Sequence, residues 1–232
     1  MPNKSFSKEQ FLAGEVLLID KFTDWTSFDV VNKIRSTLKY QYDIPKIKVG
    51  HAGTLDPLAT GLLIICTGKK TKEIQSFQDL PKEYITTIKF GETTPSFDLE
   101  TTVNKTYPVE NLTEESISSA INSFTGKREQ IPPDFSAKRV NGKRAYESAR
   151  KGKSINLKPA QIEIYSIEIL KINLPFAEIK IICSKGTYIR AIARDLGKKL
   201  NNGAHLTDLR RTKIGDFSVE NAITVDLFQN LL

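Results

Sequence analysis

Apolar residues recur at two spacings along this 232-residue chain, and the changes of spacing mark its elements. The first run, Leu12 to Ile19, reads as a short strand. Thr26 or Ser27 then caps a helix that carries Val30, Val31, Ile34 and Leu38 on one face. Leu62, Leu63, Ile64, Ile65 and Cys66 follow as an unbroken apolar run between Gly61 and Gly68, which fits a buried strand. Lys69 to Leu80 reads as a helix. From Glu83 to Phe90 the residues Tyr84, Thr86, Ile88 and Phe90 alternate with others in strand fashion, and Gly91 ends the run.

Residues 91–111, rich in Thr, Pro, Asn and Asp, form a long irregular connection. A helix comes next: Thr113 is its N-cap, Leu112 and Ile117 form a hydrophobic staple, Ile117, Ala120, Ile121 and Phe124 share a face, and Gly126 closes it. Ile162 to Ile172 and Ala177 to Cys183 are strands, the second with Ile179, Ile181 and Cys183 on one face and Glu178 and Lys180 on the other. Thr187 opens a helix that places Ile189, Ile192, Leu196 and Leu200 at helical spacing, and strand-like pieces lie at His205–Leu209 and Phe217–Val219. Repeats, long linkers and regular β-α-β alternation are missing. The order predicts a single α+β domain over residues 1–232, with a mixed, mainly antiparallel sheet.

Charge narrows the partner. With 34 Lys and Arg against 27 Asp and Glu the formal charge is +7, which favours a polyanion. No apolar stretch is long enough to span a membrane and Met1 to Gln10 has no signal-peptide core, so the expected location is the cytoplasm. Cys66 and Cys183 both sit in strand-like runs and read as buried free thiols. The only histidines are His51 and His205, and no Cys/His cluster has metal-ligand spacing. Glycine-rich dinucleotide and phosphate fingerprints are also missing, so no cofactor is expected.

One segment has residues that neither a core nor an ordinary loop selects: Gly50 to Leu63, reading Gly-His-Ala-Gly-Thr-Leu-Asp-Pro-Leu-Ala-Thr-Gly-Leu-Leu. Pro57 fixes its own φ and holds Asp56 towards extended geometry, while Gly50, Gly53 and Gly61 permit turns that a Cβ would block. A bare Asp-Pro is a common turn. A plain turn needs neither His51 nor so many glycines around one acid, and a stiff loop tied to a core strand is a good place for chemistry.

Three further segments stand out. Lys82-Glu83-Tyr84 puts an aromatic hydroxyl beside charges at the start of a strand, although Tyr84 alone could be an ordinary strand tyrosine. Ser184 to Arg190 passes through Gly186 into a helix N-terminus, where free N–H groups favour an anion and Arg190 could hold a carboxylate or phosphate. His205 to Arg211 ends in the pair Arg210-Arg211, suited to phosphates. The basic stretch Lys138 to Lys153, with Lys143 and Arg144 near its centre and Tyr146 interleaved, reads as an RNA-backbone footprint.

Taken together, these segments resemble the bacterial tRNA pseudouridine-55 synthases, the TruB family. The likeness runs from about Gly14 to Val219 and includes Thr26 to Val31, Gly50 to Leu63, Lys82-Glu83-Tyr84 with Phe90 to Thr94, Gln130-Ile131-Pro132-Pro133, Val140 to Tyr146, Cys183 to Arg190, and Gly203 to Arg211. It implies a pseudouridine synthase fold and isomerisation of a T-loop uridine of tRNA, without metal or cofactor. It further implies that Asp56 is the nucleophile, Tyr84 stacks on the target base, and Arg190 pairs with the nucleophile. His51 would help displace the loop base, and Tyr188 and Leu209 would line the uridine pocket. Lys21-Phe22 departs from the family's Lys-Pro, and Phe135 stands where a Tyr is usual. The chain is also read as a short form without the PUA-type RNA-binding domain of many relatives. It would act on tRNA as a monomer with no obligate protein partner. A rival reading is a non-catalytic tRNA-binding or folding factor on the same fold.

Overall fold

The computed structural model describes residues 6–136, 138–140, 143–150 and 156–232. The chain divides into two compact units, Met1–Tyr84 with Leu209–Leu232, and Ile85–Asp208.

In the first unit, the Ser7 hydroxyl and the Gln10 side chain cap each other's backbone and start helix α1 (Lys8–Ala13). This helix takes Leu12 and Ala13 out of the expected strand, so β1 (Val16–Lys21) begins only after Gly14. Thr26 caps α2 (Ser27–Gln41) in a reciprocal box with Asp29, and Val30, Val31, Ile34 and Leu38 are buried as their spacing predicts. Strands β2 (Val49–His51) and β3 (Thr60–Thr67) follow. The helix expected from Lys69 to Leu80 is split: a 3-10 turn occupies Gly68–Glu73, where the Thr71 hydroxyl donates to the Gly68 carbonyl, before α3 (Ile74–Asp79). Strand β4 (Lys82–Phe90) buries Lys82, Tyr84, Thr86, Ile88 and Phe90, the alternation read from sequence. It belongs to the first unit as far as Tyr84.

The second unit contains the small ribbon of β5 (Glu92–Thr93) and β6 (Lys105–Thr106), inside the irregular connection. Helix α4 (Glu114–Asn122) is capped by Thr113, with Leu112 and Ile117 both buried. It stops at Ser123. Gly126, expected to close it, instead opens β7 (Gly126–Gln130) at φ +106. Short β8 (Arg139–Val140), β9 (Lys143–Arg144) and α5 (Ala145–Ala149) precede the long strands β10 (Ala160–Asn173) and β11 (Phe176–Cys183). Helix α6 (Ile189–Lys199) starts at Tyr188, because the Thr187 hydroxyl donates to the Ser184 carbonyl rather than capping it. Strand β12 (Ala204–Ile214) leaves this unit after Asp208. The first unit ends with β13 (Phe217–Ser218) and α7 (Val225–Asn230).

Within the first unit the strand order is β1-β3-β12-β4, and within the second it is β12-β4-β11-β10-β7. β1 and β2 run antiparallel to β3, as do β7 and β11 to β10, while β12 is parallel to β3. The sheet is therefore mixed and mainly antiparallel. β3 explains its own unbroken apolar run. Leu63 and Ile65 enter a cluster with Ile19, Val30, Ile34, Leu38 and Phe228 on one side, and Leu62, Ile64 and Cys66 pack with Ala52 and Ile214 on the other. Among the described residues no helix is long and apolar enough to cross a membrane.

Candidate active site

The loop between β2 and β3 carries Asp56, and several side chains from elsewhere in the first unit clamp its backbone. The Ala52 N–H donates to the Ile64 carbonyl at 2.9 Å. The Arg211 guanidinium donates to the carbonyls of Leu62 (2.8 Å), Gly53 (3.1 Å) and Thr54 (3.4 Å). The Ser27 hydroxyl, at the buried start of α2, accepts from the Leu55 N–H at 2.8 Å and donates to the Leu55 carbonyl at 3.2 Å. The Pro57 carbonyl accepts from the Asp24 N–H at 2.9 Å and from the Lys21 ammonium at 3.1 Å. The Ala59 N–H closes the turn on the Asp56 carbonyl itself. Asp56 is half-buried on a backbone fixed on both sides of it. Such fixation holds a reactive carboxylate in one geometry without rearrangement during reaction.

Lys21 is the unusual member of this clamp. It is fully buried, and its ammonium donates to the carbonyls of Phe22 (2.9 Å), Trp25 (2.7 Å) and Pro57. Burial pushes its pKa down to about 8, against the attraction of Asp56 and Asp24. A folded chain that holds this proton less tightly than an unfolded one makes stability pH-dependent. Between about pH 8 and the ordinary lysine value of 10.5 the unfolded state carries more protons, so this group's contribution to stability rises with pH. Below that window both states are protonated and the contribution is flat. We therefore expect the stability of the native chain relative to Lys21→Met to increase from about pH 7.5 to about pH 9.5. Urea midpoints at several pH values check this, and a constant difference would show that Lys21 does not titrate there.

His51, at the end of β2, is half-buried, and its Nδ1 is buried without a hydrogen-bond partner of good geometry. Burial first, and then the Arg211 charge, lower its pKa below the ordinary histidine value, with a smaller opposing contribution from the Gly53 backbone. Its imidazole is accordingly neutral at physiological pH. Tyr84 stands at only 8% exposure on β4. Its neighbours are fixed too. The Lys82 ammonium donates to the carbonyls of Gln78 and Leu80 at the end of α3, and the Thr212 hydroxyl donates to the Glu83 carboxylate at 2.8 Å. Leu209 is half-buried on β12.

One of the two phosphate-binding expectations for this arginine pair changes. Arg211 is 1% exposed, with its guanidinium donors on Gly53, Thr54 and Leu62, so it braces the Asp56 loop and does not reach RNA backbone. The register explains this, since Arg211 pairs with Gly61 on parallel β3 and faces inward. Arg210 points the other way. It stays 37% exposed and binds the Asp20 carboxylate with two guanidinium nitrogens, at 2.7 and 3.0 Å. The side chains of Lys143 and Arg144 lie outside the described part of the chain.

The remaining expected site residues belong to the second unit. Gln130 holds Tyr188 by both backbone groups: its Oε1 accepts from the Tyr188 N–H at 2.8 Å, and its Nε2 donates to the Tyr188 carbonyl at 3.1 Å. Arg190 is 2% exposed and is not the solvated helix residue that local spacing allows. It donates to the carbonyls of Ser96 (2.9 Å) and Phe135 (2.8 Å), and Asp98 lies 3.5 Å from its Nε. Sequence reasoning missed the clamping roles of Lys21, Ser27 and Arg211. One signal was present: Leu17, Ile19 and Lys21 share the inward phase of β1.

The fold is that of chains in solved structures of two assemblies. The crystal structure of a Cbf5-Nop10-Gar1 complex aligns with a TM-score of 0.70 and 27% identity over 98% of this chain and 60% of that chain. The structure of an H/ACA RNP bound to a substrate RNA containing 2'-deoxyuridine aligns at 0.69 and 24% identity over 99% of this chain and 58% of that one. This chain therefore spans less than two thirds of those neighbours. Residues 37–189 match the profile described as TruB family pseudouridylate synthase (N terminal domain), and 190–232 match the tRNA pseudouridylate synthase B C-terminal domain. The tRNA pseudouridine synthase B of Phocaeicola vulgatus is 56% identical over 222 residues, covering 96% of this chain and 94% of the relative. That of Flavobacterium johnsoniae is 51% identical over 225 residues, 97% and 98% of the two chains. The chain belongs to the TruB family of pseudouridylate synthases.

Proposed function

We infer that the chain is a tRNA pseudouridine synthase that isomerises uridine 55 of the T-loop, with Asp56 as its reactive carboxylate. The observation that carries this reading is the clamped Asp56 loop in a member of this family. The reaction breaks the N1–C1′ bond, turns the uracil and joins C5 to C1′; the C5 proton leaves to solvent and N1 takes one up, so atoms and electrons balance without an oxidant, reductant or cofactor. Asp56 serves by adding to C1′ or by removing the C2′ proton to give a glycal, and a weak base later takes the proton from C5. The target must leave its stack to reach the carboxylate.

The other roles follow the family pattern. Tyr84 stacks on the target base. Tyr188 and Leu209 line the uridine pocket, and Arg190 is the cation serving the nucleophile. His51 helps displace the loop base and does so as a neutral ring, because burial disfavours its charged form. Arg210 takes its place at the RNA surface by exchanging Asp20 for phosphate. Residues 1–232 work as one catalytic module on tRNA in the cytoplasm, as a monomer and without an obligate protein partner.

Tritium release from a tRNA transcript labelled at uridine C5 tests this reading. One tritium released per tRNA, and none when uridine 55 is replaced by cytidine, is the expected result. Full release from the replaced transcript would move the target elsewhere. No release from the native transcript, with tRNA still bound, would favour a binding-only factor.

A further inference from the structure

Away from the Asp56 loop, the first unit carries a groove of about 560 Å³ between the last turns of α2 and the segment that leads into β2. Arg35, Lys39, Lys46 and Lys48 line it together with Asn32, Tyr40 and Pro45, and no acidic residue contributes. Among the described residues none of these cations is ion-paired with a carboxylate. Its floor is apolar, with Ile44 and Ile47 both buried. Period-two alternation explains the wall: Ile47 and Val49 turn inward, and Lys46 and Lys48 turn outward together. Arg35 is fixed at the rim, its guanidinium donating to Asn32 Oδ1 at 3.0 Å and to the Val49 carbonyl at 3.1 Å.

Tyr40 is 77% exposed, the most exposed large hydrophobic side chain among the described residues, with the Lys39 ammonium 5.3 Å from its ring centre. A cation in the last turn of a helix has an ordinary explanation in the helix dipole, and that covers Lys39. It covers neither Lys46 and Lys48, which lie outside any helix, nor a ring left in water. Like charges gathered in a concave site without acids repel each other, and a polyanion relieves that repulsion. Cations along a groove with an open aromatic face are the combination that grips a nucleic-acid backbone and stacks a base.

We propose that this groove binds the sugar-phosphate backbone of the substrate RNA at a stretch distinct from the target nucleotide, with Lys39, Lys46 and Lys48 on phosphates and Tyr40 stacked against a base. The proposal rests on tRNA being the substrate, and deepens that reading by adding a second point of grip to the same chain.

Direct tRNA binding by fluorescence anisotropy, read as a function of salt, tests it independently of turnover. For Lys39→Ala/Lys46→Ala/Lys48→Ala we expect the slope of log affinity against log salt to flatten by about 2 to 3, and Kd to rise roughly 10- to 100-fold at low salt. The kcat at saturating tRNA should stay unchanged, because the groove does not touch the reacting nucleotide. Tyr40→Ala should weaken binding by about 5- to 100-fold with little change in slope, and Tyr40→Phe should restore it, since the ring and not the hydroxyl does the stacking. A triple variant with native slope and affinity would overturn the phosphate contacts, and equal losses for Tyr40→Phe and Tyr40→Ala would overturn the stacking. A native chain that binds tRNA through this groove yet releases no tritium would sink the catalytic reading and leave the groove standing.

Discussion

Asp56→Asn is expected to remove tritium release from labelled tRNA, by about 10⁴-fold or more, the scale seen when a catalytic side chain has no substitute. The amide keeps the size and the turn, because the hydrogen bond that closes it runs from the Ala59 N–H to the Asp56 backbone carbonyl and does not use the side chain. The clamps from Ser27, Arg211 and Lys21 act on neighbouring carbonyls and N–H groups, so they survive as well. Asparagine can neither add to C1′ as an anion nor take a proton from C2′. Binding of tRNA should therefore remain within a few-fold of native while chemistry stops, and single-turnover assays with excess enzyme separate the two. Substantial release by the variant would remove Asp56 from the reaction and leave its loop as a purely structural device.

Much of the fold was legible because its signals are local. Thr26 and Thr113 announce their helices through contacts three residues away, and the alternation from Lys82 to Phe90 needs only its own sequence. The failures have a different character. Helix α1 depends on a reciprocal box between Ser7 and Gln10 in a polar terminal stretch, where the apolar Leu12 favoured a strand reading instead. Strand β7, reading Gly-Lys-Arg-Glu-Gln, has no strand pattern of its own. It exists because Gly126 to Gln130 pair with Ile164 to Ala160 of β10, a relation that only the folded chain supplies.

The candidate site divides in the same way. The stiffness of the Asp56 loop could be read from Pro57 and the glycines, since backbone restriction is a property of residue type. What holds the loop could not. Ser27 reaches Leu55 across 28 residues, Lys21 reaches Pro57 across 36, and Arg211 reaches Leu62 across 149. The pair Arg210-Arg211 shows how charge alone misleads. Adjacent residues of a strand face opposite ways, so only one of two neighbouring arginines can meet solvent while the other turns inward. Sequence identifies two cations, and the register against Thr60 and Gly61 decides which of them is a brace.

That register also makes Gly61 the most vulnerable backbone position of the site, and Gly61→Ala is expected to destabilise the chain by about 4 kcal/mol or more, in the exceptional tail of single substitutions. Two effects act together. Gly61 sits at φ +103, where an L-residue is strained by roughly 1–3 kcal/mol. A Cβ there would overlap the Arg211 carbonyl oxygen and stand 2.8 Å from the Arg211 nitrogen, in backbone that cannot swing aside as a flexible side chain would. Relief requires β12 to move off β3 at the Arg211–Gly61 pair, which draws the guanidinium away from Gly53, Thr54 and Leu62. Loss of stability and loss of turnover should then appear together, even below the unfolding transition, because the same displacement loosens the Asp56 loop. Urea midpoints paired with kcat on labelled tRNA measure both. A folded Gly61→Ala variant with native kcat would show that the Arg211 brace is not needed to hold the carboxylate in place.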